Sequence, residues 1–212
     1  MSKNQATRSE LMVNPPRNPF RTRRIRPDAM DYLFDNGSSC ATLVKKLERN
    51  HWRGQIIGPH GSGKTTLLGA LLPACQQLGC QVKQFSLHNR ERRLPFRWKD
   101  TKHWSEKTLI AIDGYEQLDW VSRSQLQIII HQKCCGLLVT THRKVRLPVI
   151  FRTTTSIELT ERIVAQLVSH DSRINPADVA HVYTQCEGNV REILFALYDL
   201  YQDRHRQPRQ PA

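Results

Sequence analysis

Eight consecutive residues constrain this chain more than any other feature: Gly58-Pro59-His60-Gly61-Ser62-Gly63-Lys64-Thr65, a full match to G-x-x-x-x-G-K-[ST]. The glycines let the backbone curl until its N–H groups point inward, an arrangement that cradles phosphate oxygens. Lys64 adds a mobile positive charge for the β- and γ-phosphates, and Thr65 offers a hydroxyl to Mg²⁺. The apolar run Gln55-Ile56-Ile57 before the loop reads as a strand. After it Leu67, Leu68, Leu71, Leu72 and Cys75 recur at helical spacing, so a helix aims the positive end of its dipole at the same anion. Strand, glycine loop and helix in that order are the context the motif requires, and they outweigh a coincidental glycine turn. The loop and the next residue, Thr66, therefore form the candidate binding site for a nucleoside triphosphate, ATP with Mg²⁺.

The rest of the chain alternates strands and helices. Val82 to Leu87 reads as a second strand, and Thr108 to Ile112 as a third, continuously apolar because both its faces are covered. A helix follows over about Ser122 to Lys133, then a fourth strand over Gly136 to Thr140; Ile157 to Leu159 is expected to add a fifth. Such alternation predicts an α/β fold with a doubly wound, mainly parallel sheet. Ser39 is a candidate cap for a helix carrying Leu43, Val44 and Leu47. Pro73 falls inside the helix after the glycine loop and is expected to kink it, and Gly79 to stop it. Residues 88–106 are basic and irregular. The last fifty or so residues are helical only: Asn175-Pro176 is a cap with proline at the first helical position, and Val190, Ile193, Leu194, Leu197 and Tyr201 form an apolar stripe. The expected organisation is a basic, proline-rich arm over 1–35, a nucleotide-binding domain over 36–159, a helical lid over 160–203 and a basic tail over 204–212.

A second acidic element supports the phosphate loop. Leu109-Ile110-Ala111-Ile112 ends in Asp113, and a carboxylate at the C-terminal end of a buried parallel strand shares the sheet edge with the loop. There it is placed to hold Mg²⁺ opposite Thr65; the alternative is that it only starts the turn at Asp113-Gly114. The nearest further acid, Glu116, is the candidate general base, or else a solvated surface charge. The strand ending at Thr140-Thr141 offers a hydroxyl between metal and γ-phosphate, with Thr141 the candidate, although threonine also suits a strand end by propensity alone. The candidate catalytic set is Lys64, Asp113, Glu116 and Thr141.

The formal charge is +13 and the isoelectric point near 9.9. Such a surface makes nucleic acid a candidate partner, beside a protein client or self-association, without assigning any of them. Clusters at Arg21 to Arg26, Arg90 to Lys99, Arg143 to Arg146 and Arg204 to Arg209 are candidate phosphate contacts, with Phe96 and Trp98 interleaved as a stacking site would require. Solvated faces explain the same residues. The six cysteines, Cys40, Cys75, Cys80, Cys134, Cys135 and Cys186, contain no C-x-x-C pair and read as reduced thiols. No apolar run is long enough to span a membrane and the first residues carry no secretory pattern, so a cytoplasmic location is expected.

With these elements in order, the chain resembles the AAA+ class of P-loop ATPases over about residues 18–201. The phosphate loop, Asp113 and the polar strand end match its Walker A, Walker B and sensor-1 elements. Gly188-Asn189-Val190-Arg191-Glu192 looks like the opening of a sensor-2 helix, which implies that Arg191 contacts the nucleotide. Asn18-Pro19-Phe20 and Ile25-Arg26-Pro27 resemble the linker that passes close to the adenine in several AAA-type ATPases. The resemblance implies a P-loop NTPase fold, ATP and Mg²⁺ as ligands, and hydrolysis to ADP and phosphate, slow or stimulated by a partner. Two departures stand out. The glutamate that normally follows the Walker B aspartate is replaced by Gly114, an arrangement closer to the NACHT-type signalling ATPases, which act as nucleotide-dependent switches. No trans-acting arginine finger is evident beyond the candidates Arg123 and Arg143. A nucleic-acid-binding ATPase, a switch without turnover and a small-molecule kinase remain as alternatives.

Overall fold

The computed structural model describes residues 18–35, 37–88, 91–168 and 173–206. Five strands form one all-parallel sheet: β1 (Arg53–Ile57), β2 (Gln81–Ser86), β3 (Thr108–Asp113), β4 (Gly136–Thr141) and β5 (Val149–Arg152), in the order β2-β3-β4-β1-β5. The central strands β3 and β4 are buried almost throughout, which is why their sequences run apolar without alternating. Alternate residues still divide between two cores. Leu109, Ala111 and Leu138 face α2 (Cys40–Arg49) and α3 (Lys64–Gln77), whereas Ile110, Ile112, Leu137 and Val139 face α4 (Trp120–Lys133). The result is a helix–sheet–helix sandwich with the strand ends of β1, β3 and β4 along one edge.

Local sequence explains where the helices begin and end. Ser39 and Thr42 form a reciprocal capping box at the start of α2. The Asp119 side chain accepts from Ser122 N–H and starts α4 two residues before its apolar pattern becomes visible. Helix α3 runs through Pro73 to Gln77, and the Gly79 and Cys80 N–H groups close it on the Gln76 and Cys75 carbonyls at 2.9 and 3.1 Å. Between β2 and β3 the described residues form no helix beyond the one-turn segment Trp98–Thr101. The sheet there is covered by aromatic packing: Phe96 lies 4.9 Å from Phe85 and 4.8 Å from Trp104, centroid to centroid. Phe96 is thus a structural residue, which leaves Trp98, 55% exposed, as the accessible member of the expected stacking pair.

One expected element is corrected. Ile157 to Leu159 is not a strand but the first turn of α5 (Ile157–Val168), and the fifth strand lies earlier, at β5. The Ser156 hydroxyl accepts from Leu159 N–H at 3.1 Å, so a serine cap makes Ile157-Glu158-Leu159 a helix start. Helices α5, α6 (Pro176–Gln185) and α7 (Val190–Arg206) share a third core built from Val164, Leu167, Val179, Val182, Ile193, Leu194, Leu197 and Tyr201. Arg204 clamps this lid with a two-pronged bond to Asp178 at 2.6 and 2.8 Å, and its guanidinium holds the Asp178 carboxyl below the usual range.

The arm is anchored to this lid. After Asn18, Pro19 and Phe20 comes a single turn, α1 (Thr22–Ile25). Phe20 is fully buried in the lid core, edge-on to Tyr201, and the Asn18 amide donates to the Tyr198 carbonyl at 3.0 Å. The rest of the expected arm, residues 1–17, lies outside the described residues, as do Arg90 and the tail beyond Arg206. No helix among the described residues is long and apolar enough to cross a membrane.

Candidate functional site

The glycine loop connects the end of β1 to the start of α3. Gly63 takes the left-handed conformation, φ +82°, that turns the chain into the helix. Gly58 is required for space instead of torsion. A Cβ there would stand 2.0 Å from the Thr153 hydroxyl and 2.6 Å from its backbone carbonyl. Thr153 cannot easily retreat, because its N–H is bonded to the Ile57 carbonyl at 2.9 Å and its hydroxyl to Ser62 Oγ at 2.6 Å. Gly58→Ala is therefore expected to cost about 1–3 kcal/mol, read as a lower urea midpoint at unchanged slope. An unchanged midpoint would mean that the loop and Thr153 separate freely.

Asp113 ends β3 beside the loop. Its Oδ2 accepts from the Thr65 hydroxyl at 2.8 Å, and its Oδ1 from the Thr140 hydroxyl, which in turn accepts from Gly114 N–H at 2.9 Å. The register of β3 and β4 brings this about: Ile112 pairs with Val139, so Asp113 and Thr140 are the next residues along. Thr141, the expected polar contact, is fully buried and turned the other way. Its hydroxyl donates to the Arg143 carbonyl at 2.7 Å. Period-two alternation explains the difference, since adjacent strand residues point to opposite faces.

Lys64 is buried, and its ammonium donates to the Gly58 and Pro59 carbonyls at 2.9 and 2.6 Å. Burial pulls its pKa below the ordinary lysine value, opposed by Glu116 and Asp113, while the Arg191 guanidinium adds a small downward push. A fourth group completes the set. His142, just past β4, turns Nδ1 to within 3.2 Å of Lys64 Nζ and Nε2 to within 3.2 Å of Glu116 Oε1. Its ring stacks on His60 of the loop, centroids 3.6 Å apart. Sequence reasoning missed His142 because a histidine after a strand belongs to no spacing pattern; only its place beyond Thr140-Thr141, at the edge shared with the loop, was a signal.

A cavity of about 290 Å³ opens from the loop between arm and lid. Gly61, Ser62, Gly63, Lys64, Thr65 and Thr66 line it together with the apolar side chains of Ile25, Pro27, Met30, Leu159, Val190 and Leu194. Arg26 and Arg191 also face it. The lid start is pressed against the loop, for a Cβ on Gly61 would lie 1.8 Å from Asn189 Oδ1. Tyr32, 3.2 Å from the position of a Cβ on Gly63, packs on Phe34 and Phe151. Burial, with Asp35 adding to it, pushes the Tyr32 phenol up to about 12, so it stays neutral. Of the two candidate arginine fingers, Arg123 is engaged within its own chain. It donates to the Glu116 carbonyl at 2.7 Å and lies over the Tyr115 ring, while Arg143 is exposed.

No protein-family model and no curated protein matches this sequence. Solved structures do match in fold. Two variants of RuvB from Thermotoga maritima align at 15% identity with a TM-score of 0.52, over 77% of this chain and 66% of theirs. NtrX from Brucella abortus, solved in complex with ATP and in complex with ADP, aligns at 13% and 12% identity with TM-scores of 0.57 and 0.58. Those alignments cover 86% and 89% of this chain but only 53% and 56% of the NtrX chains. At such identities the likeness is one of fold.

Proposed function

We propose that this chain, whose fold is that of the AAA+ P-loop ATPases, binds Mg-ATP in the cavity between arm, loop and lid and hydrolyses it slowly or under a partner's stimulus. The observation that carries this reading is the cavity's mixed lining. The phosphate-loop residues Gly61 to Thr66 and the apolar side chains of Ile25, Pro27, Met30, Leu159, Val190 and Leu194 line one and the same cavity, a combination suited to phosphates and a purine base. The nucleotide complexes of NtrX support it by analogy of fold.

In this reading Lys64 leaves the Gly58 and Pro59 carbonyls for the β- and γ-phosphates, and the α3 N-terminus faces the same charge. Arg191 adds a second cation from the lid. Among the described residues no group of three or more His, Cys, Asp or Glu is arranged to hold a metal ion by itself. The Thr65 hydroxyl and Asp113 carboxylate are hard oxygen donors held 2.8 Å apart, and they fit Mg²⁺, which takes few protein ligands and completes its shell with phosphate and water. When bound, the ion offsets charge on the phosphates. Thr140 fixes the Asp113 carboxylate, and Thr141 serves the turn after β4.

Glu116 is the proposed general base. Its carboxylate stands at the sheet edge beside the loop, Oε1 3.2 Å from His142 Nε2 and near enough to Lys64 to act on its charge, where a base can serve a reacting phosphate. Glu116→Gln is expected to keep ATP affinity within about twofold and to lower kcat by roughly 100-fold or more, the scale of a lost general base. Calorimetric binding and phosphate release on wild-type and variant protein measure both. Binding without turnover in the wild type, with single-stranded DNA or RNA also present, would replace the ATPase reading by a nucleotide-dependent switch. No ATP binding by folded protein would end the central claim.

A further inference from the structure

His142 has a feature that an ordinary polar neighbour of a phosphate site lacks: its Nδ1 faces two partners that want opposite things. Lys64 Nζ, 3.2 Å away, is a donor only, so toward it Nδ1 must present a lone pair. The Gly58 carbonyl, 3.1 Å away, is an acceptor only, so toward it Nδ1 must present a proton. With the ammonium in place the first arrangement holds, the ring proton sits on Nε2, and Nε2–H donates to Glu116 Oε1. The contact with Gly58 O then joins a lone pair to a lone pair and gains nothing. Once the ammonium leaves, Nδ1–H to Gly58 O becomes available without any rotation of the ring.

We propose that His142 is a positioning residue that couples Lys64 to Glu116 through a proton: when phosphate takes Lys64, the imidazole binds one proton from solvent, donates through Nδ1 to Gly58 O, and holds Glu116 through Nε2 as an imidazolium–carboxylate pair. The inference rests on the reading that phosphate groups of a nucleotide occupy the loop. No covalent bond is made or broken; the proton comes from water or buffer and returns when nucleotide leaves and Lys64 folds back.

The charged surroundings agree in sign. With Lys64 on the loop carbonyls, burial holds the imidazole below its ordinary pKa, with the Lys64 ammonium the next cause, Glu116 opposing and His60 adding a further downward push. Lys64 and His60 come from the loop and Glu116 from the turn after β3; Asp113 and Arg191 act on Lys64. Nucleotide removes the ammonium from Nδ1 and brings phosphate charge closer, and both changes favour the imidazolium. The bound state therefore carries more protons than the free state. Nucleotide affinity should rise as pH falls through the window between the two His142 pKa values, the lower of which lies beneath the ordinary histidine value of about 6.5. The same pairing lets the loop report its occupancy to the proposed base. Glu116 is held by a neutral N–H while the site is empty and by a charged one, a stronger bond, once it is filled.

The test is calorimetric titration of the full chain with Mg-ADP at pH 7 in two buffers of different ionisation enthalpy. The difference in heat counts protons taken up. Wild-type protein is expected to take up roughly 0.5–1 proton per nucleotide, and His142→Gln, which keeps a hydrogen-bonding group but cannot titrate, is expected to bind ADP with that uptake lost. Equal heats in both buffers for the wild type, or undiminished uptake in His142→Gln, would overturn the proposal. If the variant does not fold, the wild-type imidazole NMR titration decides. One histidine should titrate at a higher pH with Mg-ADP than without it, and no such shift overturns the coupling. Wild-type protein giving no binding heat in either buffer would bring down the nucleotide reading, and this inference with it. That result is distinct from binding without proton uptake.

Discussion

Lys64→Ala is expected to weaken Mg-ATP binding by roughly 100- to 1000-fold, the worth of two charge-assisted hydrogen bonds to phosphate, while leaving the folded protein about as stable as before. The second half of that expectation is the informative one. On the loop carbonyls the ammonium is buried, and burial pulls its pKa downward, so folding disfavours its charge. A lysine depressed in the folded state contributes no charge-based stability that its removal would forfeit. The Gly58 and Pro59 carbonyls lose a donor, but Pro59 is exposed and Gly58 only half-buried, so water can replace it. Isothermal calorimetry should show no saturable heat at concentrations that saturate the wild type, and thermal unfolding should shift by no more than a few degrees. Retained binding would mean that Lys64 stays on the loop carbonyls and that phosphate is held by other groups. Binding lost together with the melting transition would assign Lys64 to the fold.

Phe20→Ala should produce the largest loss of stability of any single truncation in the arm, about 3–5 kcal/mol. The ring is fully buried in the lid core and meets Tyr201 edge-on at 6.3 Å between centroids. Its truncation also acts on the cavity, because Ile25, Arg26, Pro27 and Met30, a few residues further along, form its wall on the arm side. With the anchor gone, only the fraction of molecules with a docked arm offers the whole cavity, and apparent ATP affinity falls in proportion to that fraction. Urea unfolding and ATP titration on the same preparation measure the two effects. A midpoint equal to that of the wild type would show that the arm does not depend on Phe20, and the assignment of that wall would fail with it.

The arm also shows where sequence reading stopped. Its prolines excluded a long helix, and the described part has only the turn at Thr22–Ile25. What no local pattern in the arm revealed is that Phe20 belongs to a core whose other members begin at Val164. A single aromatic residue between prolines has no periodicity, and its partner surface is made by helices far away in the chain. The displaced fifth strand failed for a different reason. Val149–Arg152 and Ile157–Leu159 are both short segments with two or three apolar residues, and only pairing with β1 on one side and the Ser156 cap on the other tells them apart. Thr140 and Thr141 were legible as a pair, while the register of β4 on β3 chose which hydroxyl meets Asp113.

The sequence by itself determined the strand–loop–helix unit at Gly58 to Thr65, the parallel α/β sheet and the helical lid, because glycine torsion, apolar periodicity and caps act over a few residues and leave their mark in order along the chain. Only the tertiary structure decided the partners across elements: Phe20 in the lid, Asn189 over Gly61, and His142 between Lys64 and Glu116. Those contacts join residues that are distant in sequence, and their geometry follows from sheet order and strand register, which no single segment encodes.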